Sequence, residues 1–338
     1  MVSHFLSHFA LAGAGRIVRI VTVVGLFAGG VTAAELPRLS IVHGFGENHP
    51  VHHAIQRFRD NLAGMATVEL GIQENERATI RALLNGEVDA AVLSPADLQE
   101  MVREITVLDL IGLWRDRAHW ARALDGEPGR QLASLVERAT QPGGAGFQVL
   151  GFWGGTRRHL LTRRDGVRKT EALASLRLRI PINPVRSKMW KALGVQPVLL
   201  PGTEVSAALR DGRVDGLEEE AEVILQTRLF ELAPHLTETG HAIGTRLFLI
   251  TRPAWGRLTK KQQAAVAAAQ KAAAAARAGE QAREELALAS LKQTSGVNVH
   301  DFTEQNILMA RTRPFRLRYA DELGISRLLA LIEKVSSP

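Results

Sequence analysis

Short apolar runs and longer amphipathic stretches alternate along this chain. Residues 39–43 read as a strand, and 50–62 as a helix that starts on Pro50 and turns Ile55, Phe58 and Leu62 inward. Residues 66–70 are the next predicted strand, 76–84 the next helix, and 88–93 a strand that stops at Ser94 and Pro95. The segment 107–135 is predicted mainly helical with Trp114 and Trp120 in its core. Residues 141–146 form a glycine-rich loop and 147–153 a buried strand. The second half repeats the plan: a strand at 176–180 ended by Pro181, a helix at 187–193 closed by Gly194, and a strand at 197–200. Strands alternating with helices of about 10 residues predict an α/β fold with largely parallel pairing.

One phrase occurs twice, over 80–91 and 205–216. Each copy reads as an amphipathic helix stopped by Gly86 or Gly212, since glycine tolerates the left-handed cap, followed at once by a Val-Asp strand start. Two lobes carrying the same αβ unit are implied. From 259 to 292 the chain is dense in strong helix formers, with Gly279 the one weak point. About 34 helical residues make a rod of roughly 50 Å, which has to brace both lobes.

The first 34 residues stand outside this scheme. Arg16 and Arg19 precede an apolar run from 20 to 31, and small residues at Val31, Ala33 and Ala34 fit a cleavage site, so 1–34 is expected to be a signal peptide and the mature protein periplasmic. The run falls short of the about 20 apolar residues that span a bilayer, and no cysteine follows it to carry a lipid. Losing two arginines and no acid lowers the formal charge from +7 to about +5. The basic residues form no stripe of the kind that grips a phosphate backbone, which argues against nucleic acid. The absence of cysteine excludes disulfides, thiolate nucleophiles and cysteine-ligated metals.

Leu173-Ala-Ser-Leu-Arg-Leu-Arg-Ile-Pro181, followed by Met189-Trp-Lys-Ala-Leu-Gly194, Glu204-Val205 and Arg213-Val-Asp-Gly-Leu-Glu218, resembles the TRAP-type periplasmic solute-binding proteins of the DctP family. Asn48-His-Pro-Val51, Arg115-Asp116 with Ala123-Leu-Asp-Gly126, Gly155-Thr-Arg157, Thr239-Gly-His241 and Trp255-Gly-Arg-Leu-Thr259 extend the likeness over nearly the whole mature chain. The resemblance implies a two-lobed periplasmic-binding-protein-like fold with hinge strands and a long helix spanning both lobes. Lobe I is then expected at 35–154 with 245–286, and lobe II at 155–244 with 287–338. It implies a monomeric receptor, without cofactor, that hands a small carboxylated metabolite to TRAP transporter membrane subunits. A sensing or scavenging protein of the same fold is the alternative.

Candidate site residues follow. In an open α/β sheet, ligands sit at the carboxyl ends of strands, where Arg179 ends the 176–180 strand; a guanidinium there can hold a carboxylate by two parallel bonds. The resemblance gives the same role to Arg179, makes Arg157 a second pocket cation and Trp153 either a pocket aromatic or core. For Arg177 the motif favours a structural role. Ser94 and Asn48 are loop residues that the fold would turn into the cleft. Two departures from the family matter. Glu219 stands where many members carry asparagine, and is expected either to accept a ligand hydroxyl or ammonium, repelling a second carboxylate, or to neutralise an arginine. Gly202 stands where an aromatic commonly covers the ligand, implying a roomier pocket. Together they favour a sugar acid or amino-bearing acid over a succinate-like ligand.

Catalysis finds little support. His49, His52 and His53 cluster, but without the glutamate spacing of a zinc protease, and the chain has neither a nucleophile-elbow serine motif nor a phosphate-binding glycine loop. The acids at 218–222 suit a helix start as well as a catalytic pair.

Overall fold

A computed structural model of the chain describes residues 36–47, 49–73, 76–139, 146–273 and 276–336. The predicted signal peptide, Asn48 and most of the 141–146 loop lie outside the described residues.

The first αβ unit comprises β1 (Arg38–His43), α1 (Pro50–Asn61), β2 (Thr67–Ile72), α2 (Glu76–Leu84) and β3 (Ala90–Leu93). After a 3-10 segment at Arg103–Asp109 come α3 (Arg117–Asp125), α4 (Glu127–Arg138) and the long β4 (Phe147–Thr162). The second unit is β5 (Arg177–Ile180), α5 (Pro184–Ala192), β6 (Gln196–Leu199), α6 (Val205–Arg210) and β7 (Gly216–Glu220). It is followed by α7 (Ala221–Gln226), the long β8 (His235–Thr251), α8 (Arg252–Arg257), α9 (Lys260–Ala273), α10 (Ala276–Gln293), β9 (Asn298–Asp301), α11 (Gln305–Glu322) and α12 (Ser326–Lys334).

One sheet runs in the order β2-β1-β3-β8-β4-β7-β5-β6, with β9 alongside β8. Within each unit the pairing is parallel, β2-β1-β3 on one side and β6-β5-β7 on the other, the same order twice. The expectation of largely parallel pairing holds for these units and fails at the centre. There β4 and β8 pair antiparallel with each other, and β3 and β7 join them antiparallel. The strand expected at 147–153 continues to Thr162, and β8 was not foreseen. Glycines at 154, 155, 240 and 244 and polar residues on the solvent side interrupt the apolar alternation that marks a strand.

The repeated phrase does the same work in both halves. Gly86 and Gly212 take φ of 73° and 68°, and the next amides, of Glu87 and Arg213, donate back to the carbonyls of Ala82 and Ala208, closing each helix. The aspartate that follows ties down a neighbouring strand: Asp89 accepts from the Ser40 amide on β1 at 3.0 Å, and Asp215 from the Arg177 amide on β5 at 2.9 Å. Arg177 also forks onto the Asp215 carboxylate.

The predicted long rod appears as α9 and α10, residues 274–275 lying outside the described residues. Trp114 and Trp120 are buried as expected, in a cluster of apolar side chains that also takes in Leu132, Trp190 and Ile332 and so runs from one αβ unit to the other.

Candidate functional site

A cavity of about 540 Å³ opens where the strands of both units end, within the size range of small-molecule sites. Its wall is built from the residues just past β1 (Gly44, Phe45), the end of β3 (Leu93, Ser94), the loop after β5 (Pro181 to Asn183) and that after β6 (Pro201, Gly202), with Glu220 closing β7. These are the carboxyl ends of the parallel strands, the place the fold class reserves for ligands.

Four arginines line it: Arg158, Arg179, Arg186 and Arg246. All face acids of their own chain. Arg179 is 3% exposed; its Nε donates to the Leu200 carbonyl at 3.0 Å and its Nη1 to Glu219 at 3.1 Å. Its Nη2 has no hydrogen bond among the described residues. Burial pulls this guanidinium below its ordinary pKa, partly opposed by Glu219. Arg158 is shared among Glu218 (2.5 Å), Glu219 (2.8 Å) and Glu220 (3.6 Å). Arg186, carried by α5, reaches Asp109 at 3.0 Å and Glu218 at 3.4 Å. Arg246 pairs with Glu280 (2.8 Å) and Glu220 (3.5 Å) and lies over the Phe45 ring at 4.7 Å. Asp109, Arg186, Glu218, Arg158, Glu219 and Arg179 therefore form one chain of alternating charge along the wall.

Glu218 is the buried knot of this chain, fully inaccessible. Burial pushes its carboxyl up, but Arg158, Arg186 and a hydrogen bond from His241 hold it well below the usual carboxylate range. His241 is pushed down to about 4 by burial, against Glu218, so the ring is neutral and its Nε2–H donates to Glu218 at 3.1 Å. Thr239 Oγ1, 2.8 Å from Nδ1, supplies the proton that fixes this tautomer.

The expected site residues separate into three groups. Arg179 and Ser94 line the cavity, although the Ser94 hydroxyl donates to Asp97 at 2.6 Å and so keeps only acceptor capacity toward a ligand. Glu219 is not a cavity residue and pairs with two arginines, Arg158 at 2.8 Å and Arg179 at 3.1 Å. Arg157 and Trp153 are not cavity residues. Arg157 turns to α10 and binds Glu284, by Nε at 2.9 Å and by its amide at 2.6 Å, while Arg158 takes the position expected for it. The reason is a break in register: β4 carries irregularities between Gly154 and Arg157 and again between Arg158 and Leu160, and a one-residue shift exchanges the faces of a strand. Trp153 is wholly buried against Phe248 at 4.9 Å, so it is core.

Sequence reasoning missed Arg158, Arg186, Arg246 and Asp109. For Asp109 a signal was present: it is the lone charge in the apolar run from Val107 to Trp114, and a charge in such a run is either paired or put to use. At Gly202 the added Cβ would meet nothing within 4 Å, in keeping with a roomier pocket at that point.

The histidines of the 49–53 cluster take local structural roles. His49 caps α1 by accepting from the Val51 amide. His52 faces the buried His43, and Gly44 and Phe45 of the cavity wall follow directly. The Phe45 amide donates to His43 Nδ1 at 3.1 Å, which puts the His43 proton on Nε2, pointing at His52 Nδ1 3.0 Å away. This contact needs both rings neutral. Burial and the neighbouring His52 push His43 down to about 4, and burial together with Arg246 pushes His49 to about 3. Between about pH 6.5, the ordinary histidine value, and about pH 4 the unfolded chain binds more protons than the folded one, so acid favours unfolding. Stability should be level above about pH 6.5 and fall below it, by up to about 1.4 kcal/mol for each pH unit that one such histidine stays neutral in the folded chain and charged in the unfolded one. His43→Gln should flatten that fall in a Tm-against-pH series; a wild-type Tm that stays constant from about pH 7 to about pH 5 would contradict the assignment.

Comparison with known proteins places these features. A family model for bacterial extracellular solute-binding proteins, family 7 (DctP), matches residues 41–313. A solute-binding protein of Verminephrobacter eiseniae is 29% identical over 254 residues, which cover 75% of this chain and 74% of that one. A TRAP periplasmic solute-binding protein of Ochrobactrum anthropi has a similar structure, with a TM-score of 0.81 at 25% identity over 89% of this chain and 96% of the other. One from Sulfitobacter, crystallised with bound alpha-D-taluronate, gives 0.77 at 25% identity over 88% and 97%.

Proposed function

Because the chain belongs to the bacterial extracellular solute-binding proteins of family 7, we propose that it is the periplasmic receptor of a TRAP transporter, taking a sugar acid into the cavity and delivering it to the membrane subunits. The observation that carries the reading is Arg179. It is the penultimate residue of β5 and lines the cavity, held at Nε and Nη1, with Nη2 left for a ligand carboxylate. Arg158 is the second cation, in place of Arg157. Glu219 acts from behind by setting how much positive charge the two arginines present. The uronic acid in the Sulfitobacter relative supports a polyhydroxylated ligand. A wall rich in paired charges suits one too, because each pair retains lone pairs or N–H groups for hydroxyls. The four arginines bind and orient; no catalytic role is assigned to any group.

The lobe boundaries belong to this proposal. The cuts between 154 and 155 and between 244 and 245 fall at directly paired residues of β4 and β8, Gly154 opposite Thr245, and Gly154 and Gly155 have φ of 110° and 120°. Bending at that crossing would close the two units on a ligand. Among the described residues no helix is long and apolar enough to cross a membrane, and we assign residues 1–34 as the export signal of a monomeric receptor.

A thermal-shift and calorimetric panel of D-galacturonate, D-glucuronate, D-galactonate and succinate tests the reading. A true ligand at about 100 times its Kd should add about 2.7 kcal/mol to stability. No rise in Tm with any of these acids would count against it.

A further inference from the structure

We infer that Asp109 is a specificity-determining residue of this site, accepting a hydrogen bond from a ligand hydroxyl at the end of the ion-pair chain opposite Arg179. The inference deepens the receptor reading and rests on it. Asp109 is the last residue of the 3-10 segment Arg103–Asp109, lines the cavity and is 5% exposed. Its Oδ1 accepts from Arg186 Nη2 at 3.0 Å, while Oδ2 has no hydrogen-bond partner among the described residues. The Nε of Arg186, itself a wall residue and 6% exposed, is likewise unpartnered. A buried carboxylate oxygen and a buried guanidinium N–H left unmet on two side chains that touch each other at 3.0 Å are costly to the empty protein, and one group that donates and accepts together answers both needs. A hydroxyl does this. An ammonium cannot, because it only donates and would lie beside the Arg186 cation. A second carboxylate cannot, because it would face Asp109 charge to charge. The pair Asp109–Arg186 thus reads the part of the ligand farthest along the wall from the carboxylate at Arg179, and selects a hydroxyl there.

The test removes ligand hydroxyls one at a time. D-Galactonate and its singly deoxygenated analogues are titrated calorimetrically into the wild-type protein, Asp109→Asn and Asp109→Ser, with circular dichroism confirming the fold of each variant. One deoxy position should cost the wild type about ten- to hundredfold in affinity, the range for hydrogen bonds to charged groups, and cost the variants clearly less, since an uncharged amide or hydroxyl accepts more weakly, while the remaining positions cost all three proteins alike. The wild-type series stands even where a variant fails to fold. No position that stands out in the wild type, or equal losses in wild type and variants at every position, would overturn the role of Asp109 and leave the receptor reading intact. Binding of succinate but not galactonate would overturn the role of Asp109 together with the sugar-acid part of the reading, and leave a receptor for a different acid. A wild type that binds no acid of either kind would remove both.

Discussion

Arg179→Ala is expected to lower affinity for a sugar-acid ligand by about thirtyfold or more while the protein stays folded. The loss follows from what the side chain leaves behind: truncating one partner of a buried, hydrogen-bonded charge pair costs about 2–5 kcal/mol, much of it from the stranded carboxylate. The fold tolerates the change because Glu219 keeps Arg158 at 2.8 Å and the Leu200 carbonyl, formerly bonded to Nε, belongs to a half-buried residue next to the cavity-wall residue Pro201. Arg179→Lys should recover part of the affinity, since an ammonium keeps the charge and loses the fork that holds Leu200, Glu219 and a ligand together. Calorimetry on a ligand found by the panel decides the matter, and binding within threefold of wild type would remove Arg179 as the anchor.

The larger effect on stability is expected at Arg158. Arg158→Met keeps much of the volume and deletes the cation shared by Glu218, Glu219 and Glu220, and breaking a buried pair in this way costs about 3–5 kcal/mol. Arg186 and His241 remain for Glu218, and Arg179 for Glu219, so the loss should stay within that range. Adding Glu218→Gln should restore part of it, because an amide needs no counter-charge and can still accept from His241. Urea unfolding of the two variants provides the readout. A loss below about 1 kcal/mol for Arg158→Met would mean that the three glutamates do not depend on it.

The parts of this architecture that were legible in the sequence are those written in local chemistry. The twice-used phrase foretold two copies of one αβ unit, because a glycine at positive φ followed by Val-Asp is a helix stop and strand start wherever it occurs, and the copies do form β2-β1-β3 and β6-β5-β7. Arg179 was legible because a strand end before a proline puts its side chain at the ligand edge of the sheet. What depended on long-range pairing was not. The choice between Arg157 and Arg158 hangs on irregularities of β4 that exist only against β8, and β8 was itself hidden by its glycines. Trp153 could be assigned to core or cleft only once Phe248 was known to cover it. Asp109 was overlooked because the run from Val107 to Trp114 looked helical, and a helical reading gives a lone acid no particular direction.

Gly202 separates two demands that most cavity residues must meet together. At Gly154 an added Cβ would lie 2.2 Å from the Gly244 carbonyl oxygen, so the fold itself forbids change there. At Gly202, a residue of the cavity wall, the backbone is in an ordinary conformation and an added Cβ would meet nothing within 4 Å, so the core places no limit on a larger side chain there. Variation at this position of the wall is thus not answerable to the core. In a lineage shifting from one acid to another it is a site where pocket volume can change without a compensating change elsewhere, and a library built at that single codon would explore ligand range at nearly constant folding stability.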